Sequence, residues 1–299
     1  MAARHVLLTG ASGLIGRQCV PALIEAGYSV TVLSRGGEAP NGAQALKVDL
    51  LDHASTKAAV GQAQATHLLH LAWHAGAKDR WTTPANLDWV SATFTLVQAF
   101  AAAGGKRAVC VGSCAEYDWS AETLREDTPL RPATLYGAAK AAAGLALTKA
   151  APSLDISLAW ARVFFCYGSG EPPGRLFGDL VKGLKAGEPV NCTDGEQRRD
   201  FMHTADIASA LTVLLSGGVE GPVNVASGQA IPVRDLIMEA ANQVGRPDLI
   251  RLGAIQRPAT DPAVLAADVS RLTSEAGFSP RYTLKAGVAQ VLAAEKAKT

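Results

Sequence analysis

The chain has little that would tie it to a metal, a disulfide framework, a membrane or a nucleic acid. Only 5 cysteines and 6 histidines occur in 299 residues. Cys19, Cys110, Cys114, Cys166 and Cys192 form no CxxC pair and do not cluster with histidine, which indicates free thiols rather than a zinc site or a disulfide scaffold. His5, His53, His67, His70, His74 and His203 show no HExxH spacing, so no metal is expected. The 28 basic and 27 acidic residues leave a formal net charge of +1, and the basic residues are scattered, so neither a nucleic acid nor a membrane surface is an expected partner. No apolar run is long enough to span a bilayer and no charged-then-apolar leader precedes the first strand, so the chain reads as cytoplasmic. Repeats, low-complexity tracts and long linkers are missing too.

What is present is a hydrophobic content of 48%, enough for a substantial core and for one large α/β unit carrying a smaller lobe. The apolar run Val6-Leu7-Leu8 ends in Thr9-Gly10-Ala11-Ser12-Gly13-Leu14-Ile15-Gly16, which reads as a strand, a tight turn and a helix N-terminus. In a dinucleotide site Gly10 takes the turn, Gly13 lets the backbone approach a pyrophosphate, and Gly16 lets helix and strand pack closely. The first N–H groups of the helix, around Ser12, Leu14 and Ile15, face the phosphates.

Downstream, Leu14 to Ala26 reads as a helix closed by Gly27, with Pro21 costing one hydrogen bond. The strand Ser29 to Leu33 ends at Ser34 and Arg35, where an NAD site usually has a carboxylate; the pair suits a 2′-phosphate, so NADP is expected, with NAD possible. A solvated Arg35 is the alternative. After a strand at Ala45 to Val48, Asp49 is a candidate acceptor for the adenine amino group, with Leu50 covering the ring; Asp52 suits a helix cap. The strand His67 to Leu71 leads to Ala72, Trp73 and His74, so Leu71, Ala72 and Trp73 are placed beside the cofactor. His74 is a substrate candidate or a surface loop residue. The helix Pro84 to Ala103 is apolar on nearly every face, and the helix Thr134 to Lys149 is rich in alanine, which together predict a homodimer interface.

The catalytic candidates come next. The strand Arg107 to Val111 leads to Ser113, Cys114, Ala115 and Glu116, while Tyr136 and Lys140 stand at i and i+4 of a later helix and share one face. An ammonium near a phenol favours phenolate, so this pair suits proton transfer at a hydroxyl or carbonyl oxygen that Ser113 also binds. In the second half, Pro172-Pro173-Gly174 breaks the chain before an amphipathic segment opening with Arg175, either a phosphate ligand or an exposed cap residue. Helices are expected at Asp206 to Leu215 and Val233 to Val244, around a strand at Val223 to Ala226.

Taken together, TGASGLIG, DLLD, HLAW, YGAAK, the run Arg162 to Gly168, Arg199-Asp200-Phe201, Val223 to Gly228 and Asp268-Val269-Ser270-Arg271 resemble the extended short-chain dehydrogenase/reductases, in their nucleotide-sugar epimerase/dehydratase/reductase branch. The resemblance covers almost the whole chain. It implies a Rossmann-type doubly wound parallel sheet over residues 1–165, completed by about 204–226, and a substrate-binding lobe over 166–299 that takes a nucleoside-diphosphate sugar. By the same resemblance Tyr136 moves the proton, Lys140 activates it and binds a ribose, Ser113 anchors the oxygen, and Phe164 lies against the nicotinamide. Arg199 and Arg257 match arginines that hold a substrate diphosphate, with structural ion pairs as the alternative.

The departures narrow the chemistry. Dehydratases of this branch carry an Asp-Glu pair where Cys114-Ala115 stand, so elimination lacks its acid and base. Cys114 is one position early for epimerase-reductases, and their later histidine is missing. Phe165 replaces an asparagine that touches the substrate phosphate, and Trp89 another in the long helix. Glu116 is a candidate for a substrate hydroxyl or a solvent-facing turn carboxylate. The expectation is an NADP-dependent reductase of a nucleotide-linked 4-keto-6-deoxy sugar; the rivals are a sugar-nucleotide 4-epimerase and a non-catalytic dinucleotide sensor.

Overall fold

The computed structural model describes residues 4–74, 76 and 79–297. Its strands are β1 (His5–Thr9), β2 (Ser29–Ser34), β3 (Gln44–Lys47), β4 (His67–His70), β5 (Arg107–Ser113), β6 (Thr123–Leu124), β7 (Ser157–Val163), β8 (Phe165–Tyr167), β9 (Val190–Asn191), β10 (Arg198–His203), β11 (Gly221–Val225), β12 (Ala230–Pro232), β13 (Ile250–Arg251) and β14 (Val264–Ala267). The helices are α1 (Gly16–Glu25), α2 (His53–Ala63), α3 (Ala85–Ala102), α4 (Leu135–Ala150), α5 (Leu176–Ala186), α6 (Thr204–Ser216), α7 (Val233–Val244) and α8 (Leu284–Lys296). Among the described residues no helix is long and apolar enough to cross a membrane.

Strands that are apolar on both faces need cover on both, and they receive it. A seven-stranded sheet runs β11-β7-β5-β4-β1-β2-β3 with every pairing parallel, the order of a doubly wound Rossmann-type fold. On one face Val6, Leu8, Val109 and Ala161 pack against Val20 and Leu23 of α1 and Ile207 and Leu211 of α6. On the other, Leu7, Leu68, Ala108 and Trp160 pack against Leu96 and Phe100 of α3 and Ala143 and Leu147 of α4. The chain order reverses between β1 and β4, where such a sheet opens a crevice at its carboxyl edge. Thr9, Leu71 and Ser113 sit along that edge.

The second lobe joins β12-β10-β14-β6, with β8 also on β10, to α5, α7 and α8. β6 lies in the first half of the chain yet pairs with β14, Thr123 against Ala266 and Leu124 against Ala267. A cut at residue 165 therefore simplifies the covalent path. β5 extends two residues beyond the expected Val111, so Ser113 is the last residue of a strand and inherits its rigidity. Asp52 caps α2 by accepting from Ala54 and Ser55 N–H, and Thr134 caps α4 by accepting from Gly137 N–H.

Under the crevice His70 is buried between two hydroxyls, with Nδ1 2.7 Å from Thr9 Oγ1 and Nε2 2.9 Å from Thr93 Oγ1. Burial pushes its imidazole down to about 3, with the Lys140 charge acting the same way. Protonation thus opposes the fold. Between about pH 6.5 and 3 the unfolded chain binds the proton that the folded chain refuses, so stability should fall as pH falls through that window. Urea unfolding from about pH 7 to 4 should show wild type losing more stability than His70→Gln.

Candidate functional site

At the β1–α1 turn Gly10 has φ +76°, and a Cβ there would fall 2.8 Å from Ala72 N. A Cβ on Gly16 would fall 2.0 Å from the Gly10 carbonyl oxygen. Both glycines are therefore set by backbone packing. Gly13 and Ser12 are exposed at the tip, and Ile15 at the head of α1 provides no side-chain cap, leaving the first N–H groups of the helix facing the crevice. Arg17 folds back to donate to the Ser12 and Gly13 carbonyls, adding positive charge that the glycine pattern did not announce. This cradle fits a pyrophosphate.

At the adenosine end the fit is looser. Ser34 accepts from the Gly37 and Glu38 N–H groups, and Arg35 is exposed at the end of β2. Asp49 is exposed and accepts from Leu51 N–H at 3.1 Å. Leu50 is 5% exposed inside the core, so its side chain offers little surface to a ring. Leu71, Ala72 and Trp73 are half-buried after β4, with Ala72 N–H donating to Thr9 Oγ1.

The proposed proton-transfer residues converge where β5 meets α4. Tyr136 N–H donates to the Trp81 carbonyl at 3.2 Å, and the phenol ring is met edge-on by Trp81 at 5.4 Å and Trp73 at 6.5 Å. Burial pushes the Tyr136 phenol up to about 12, opposed by its hydrogen-bonding neighbour Ser113. Lys140 is 3% exposed; its Nζ donates to the Val111 carbonyl at 2.7 Å and lies 3.8 Å from the centre of the Trp73 ring. Burial pushes it down to about 7. Among the charges that act on the phenol, that of Arg80 favours the phenolate and that of Glu116 opposes it. Phe164 is buried against Tyr117, their ring centres 6.4 Å apart.

Glu116 requires a correction. It is fully buried, and it faces neither a substrate hydroxyl nor solvent. Its Oε1 accepts from Ser113 N–H at 2.7 Å and its Oε2 from Arg162 Nε at 2.8 Å, while Trp160 Nε1 reaches both oxygens. Arg162 continues to the Tyr117 hydroxyl at 2.9 Å, which donates to Asn224 Oδ1 at 2.6 Å. This network ties the Ser113 turn to β7 and β11. The signal for it was legible: Ser113 and Glu116 form the S-x-x-E spacing of a capping box, and the structure shows both of its bonds.

Toward the second lobe lies a cavity of about 390 Å³. Phe165, Phe201 and Ile237 supply its apolar wall, and Arg80, Arg175 and Arg199 its positive charge. Arg199 is held by Asp261 and by the Pro262 carbonyl, and Arg257 by Asp194 at 3.6 Å, so each has a carboxylate partner. Arg175, at the head of α5, is half-buried rather than a free cap residue and donates to Cys166 Sγ at 3.3 Å. His74 pairs with Asp79 at 3.0 Å. Arg80 and Trp81 lie in an irregular segment whose position only the tertiary fold sets, and Cys166 reaches the site from the short strand β8, so no local pattern marks them.

The profile of the NAD dependent epimerase/dehydratase family matches residues 6–226. The chain belongs to that family. It is therefore an NAD(P)-dependent enzyme with an extended short-chain dehydrogenase/reductase fold. It is 26% identical over 79% of its length to dTDP-6-deoxy-L-talose 4-dehydrogenase (NAD(+)) of Aggregatibacter actinomycetemcomitans, of which it covers 88%. It is 25% identical to UDP-arabinose 4-epimerase 1 of Arabidopsis thaliana, over 93% of this chain and 76% of that one. Among solved structures, MoeE5 in complex with UDP-glucose and NAD superimposes with a TM-score of 0.84 at 30% identity, covering 99% of this chain and 100% of that one. MoeE5 has also been solved with UDP-glucuronic acid and NAD.

Proposed function

We propose that the protein reduces the 4-keto group of a nucleotide-linked 6-deoxy sugar, using NADPH. The observation that carries this reading is the placement of the Tyr136 phenol beside Ser113 at the carboxyl end of β5, against Trp73 and Trp81. Carbonyl reduction consumes a proton at oxygen, and a group that enters as an acid at neutral pH is suited to supply it. A dinucleotide held along the glycine cradle would supply the hydride for carbon 4. Ser113 Oγ orients the carbonyl oxygen, Tyr136 delivers the proton to it, and Lys140 takes a ribose hydroxyl of the dinucleotide. Trp73 and Trp81 give the sugar an aromatic wall, which suits the C–H face and methyl group of a 6-deoxyhexose. The similarity to a 4-dehydrogenase of a 6-deoxy sugar supports the same reaction class.

The similarity to a UDP-sugar 4-epimerase favours a second reading, in which the same carbon is oxidised and then reduced on a retained cofactor. Incubation with NADPH and a nucleotide-linked 4-keto-6-deoxyhexose separates the two. The reductase consumes one NADPH per product hydroxyl, whereas the epimerase interconverts two sugar nucleotides without net consumption.

Preference for NADPH rests on Arg35. Loss of a charge-assisted hydrogen bond costs ~1.5–3 kcal/mol, so Arg35→Asp should lower kcat/KM for NADPH by about tenfold or more and leave NADH nearly unaffected. Equal effects on both cofactors would remove the assignment. Leu87 and Leu145, exposed on the neighbouring helices α3 and α4, support a homodimer through those helices.

A further inference from the structure

The cavity beside Tyr136 carries three guanidiniums against two carboxylates, Glu171 and Asp261. Asp261 is taken by Arg199, and Glu171 lies 3.8 Å from Arg175. Arg80 has no carboxylate partner among the described residues, and its Nε is buried without a hydrogen-bond acceptor. A guanidinium in that position is costly unless a ligand completes it. It is also held in place: the group stacks 4.7 Å over the Trp81 ring, which in turn packs edge-on to Tyr136. Arg175 approaches the same cavity from the head of α5, where it is the N-cap residue, so the helix dipole adds to its charge. Each arginine also feels the Tyr136 phenol. Two cations that repel each other, one of them unpaired, call for an anion between them.

We propose that Arg80 and Arg175 seat an oxyanion of the substrate, the phosphoryl group joined to the sugar. This assignment rests on the nucleotide-sugar reading above and differs from the expected clamp of Arg199 and Arg257, which pair with Asp261 and Asp194. Phe165 in the cavity wall offers the phosphate no side-chain hydrogen bond, which leaves that contact to the arginines. The rest of the cavity fits the remainder of such a ligand. Phe201 and Ile237 offer apolar cover for a base, and Gln197 Oε1, buried without a partner, offers an acceptor for its edge.

Calorimetric titration of the full-length protein with UDP, dTDP, CDP, GDP and inorganic pyrophosphate tests the seat. Arg80→Gln and Arg175→Gln should each weaken the preferred nucleoside diphosphate by about tenfold or more, with a shallower salt dependence. Affinity for NADPH should stay within about twofold, which shows that the variants are folded. Unchanged diphosphate affinity in either variant overturns the proposal. With UDP-glucose and UDP-glucuronic acid titrated alongside, a loss confined to UDP-glucuronic acid also overturns it, since that would mean a seat for a sugar carboxylate. Should wild type bind pyrophosphate through Arg80 but none of the nucleotides, the seat stands and the nucleotide-sugar reading fails. Binding of neither pyrophosphate nor any nucleotide rejects both.

Discussion

Tyr136→Phe should lower kcat for carbonyl reduction by about 10²–10⁴, the range supplied by a positioned general acid. The substitution removes one oxygen and keeps the ring that Trp73 and Trp81 pack against, so the fold and the glycine cradle should be unaffected. Dinucleotide affinity is therefore expected to stay within about threefold, since a lost neutral hydrogen bond contributes only ~0.5–1.5 kcal/mol. Stopped-flow measurement of a single turnover, beside fluorescence titration with NADPH, separates the two effects. If chemistry slowed less than about tenfold with binding intact, the proton would have to come from elsewhere. Ser113 is the remaining hydroxyl at that position.

Glu116→Ala should destabilise the protein by ~3–5 kcal/mol, the cost of leaving a buried partner charge uncompensated. The buried Arg162 would keep its charge and lose its carboxylate, while Ser113 N–H and Trp160 Nε1 would lose their acceptor. Glu116→Gln keeps an oxygen for Ser113 but removes the charge, so a smaller loss is expected. Urea unfolding measures both. A change below about 1 kcal/mol in the alanine variant would mean that the pair contributes no more than a surface ion pair. Since the carboxylate holds the backbone of Ser113, the glutamine variant should also lose kcat more than KM once folded.

The parts of this molecule that were legible beforehand are those written in local pattern. The β1–α1 turn, the i, i+4 spacing of Tyr136 and Lys140 and the cap Asp52 all act within a few residues of themselves. Glu116 shows where that stops. Its capping-box spacing was visible, but the partners that bury it, Trp160 and Arg162, lie more than forty residues away, and nothing local reveals them. Arg199 was matched to a substrate diphosphate with a structural ion pair as the alternative, and its carboxylate partner Asp261 stands 62 residues further on, where no local pattern announces it. Arg80 is the opposite case. It stands in an irregular loop with no pattern to mark it, and only the packing of Trp81 on Tyr136 brings it to the site.

The reduction itself is tested most directly by isotope transfer. Wild type incubated with NADPH deuterated at nicotinamide carbon 4, on the transferred face, and a nucleotide-linked 4-keto-6-deoxyhexose should yield a sugar carrying one deuterium at its own carbon 4. Mass spectrometry and proton NMR of the product locate the label, and Tyr136→Phe should reduce its appearance by the same factor as kcat. A product that lacks deuterium at carbon 4, or a substrate returned unchanged with the cofactor intact, would contradict the assignment of this site to reduction of the 4-keto group.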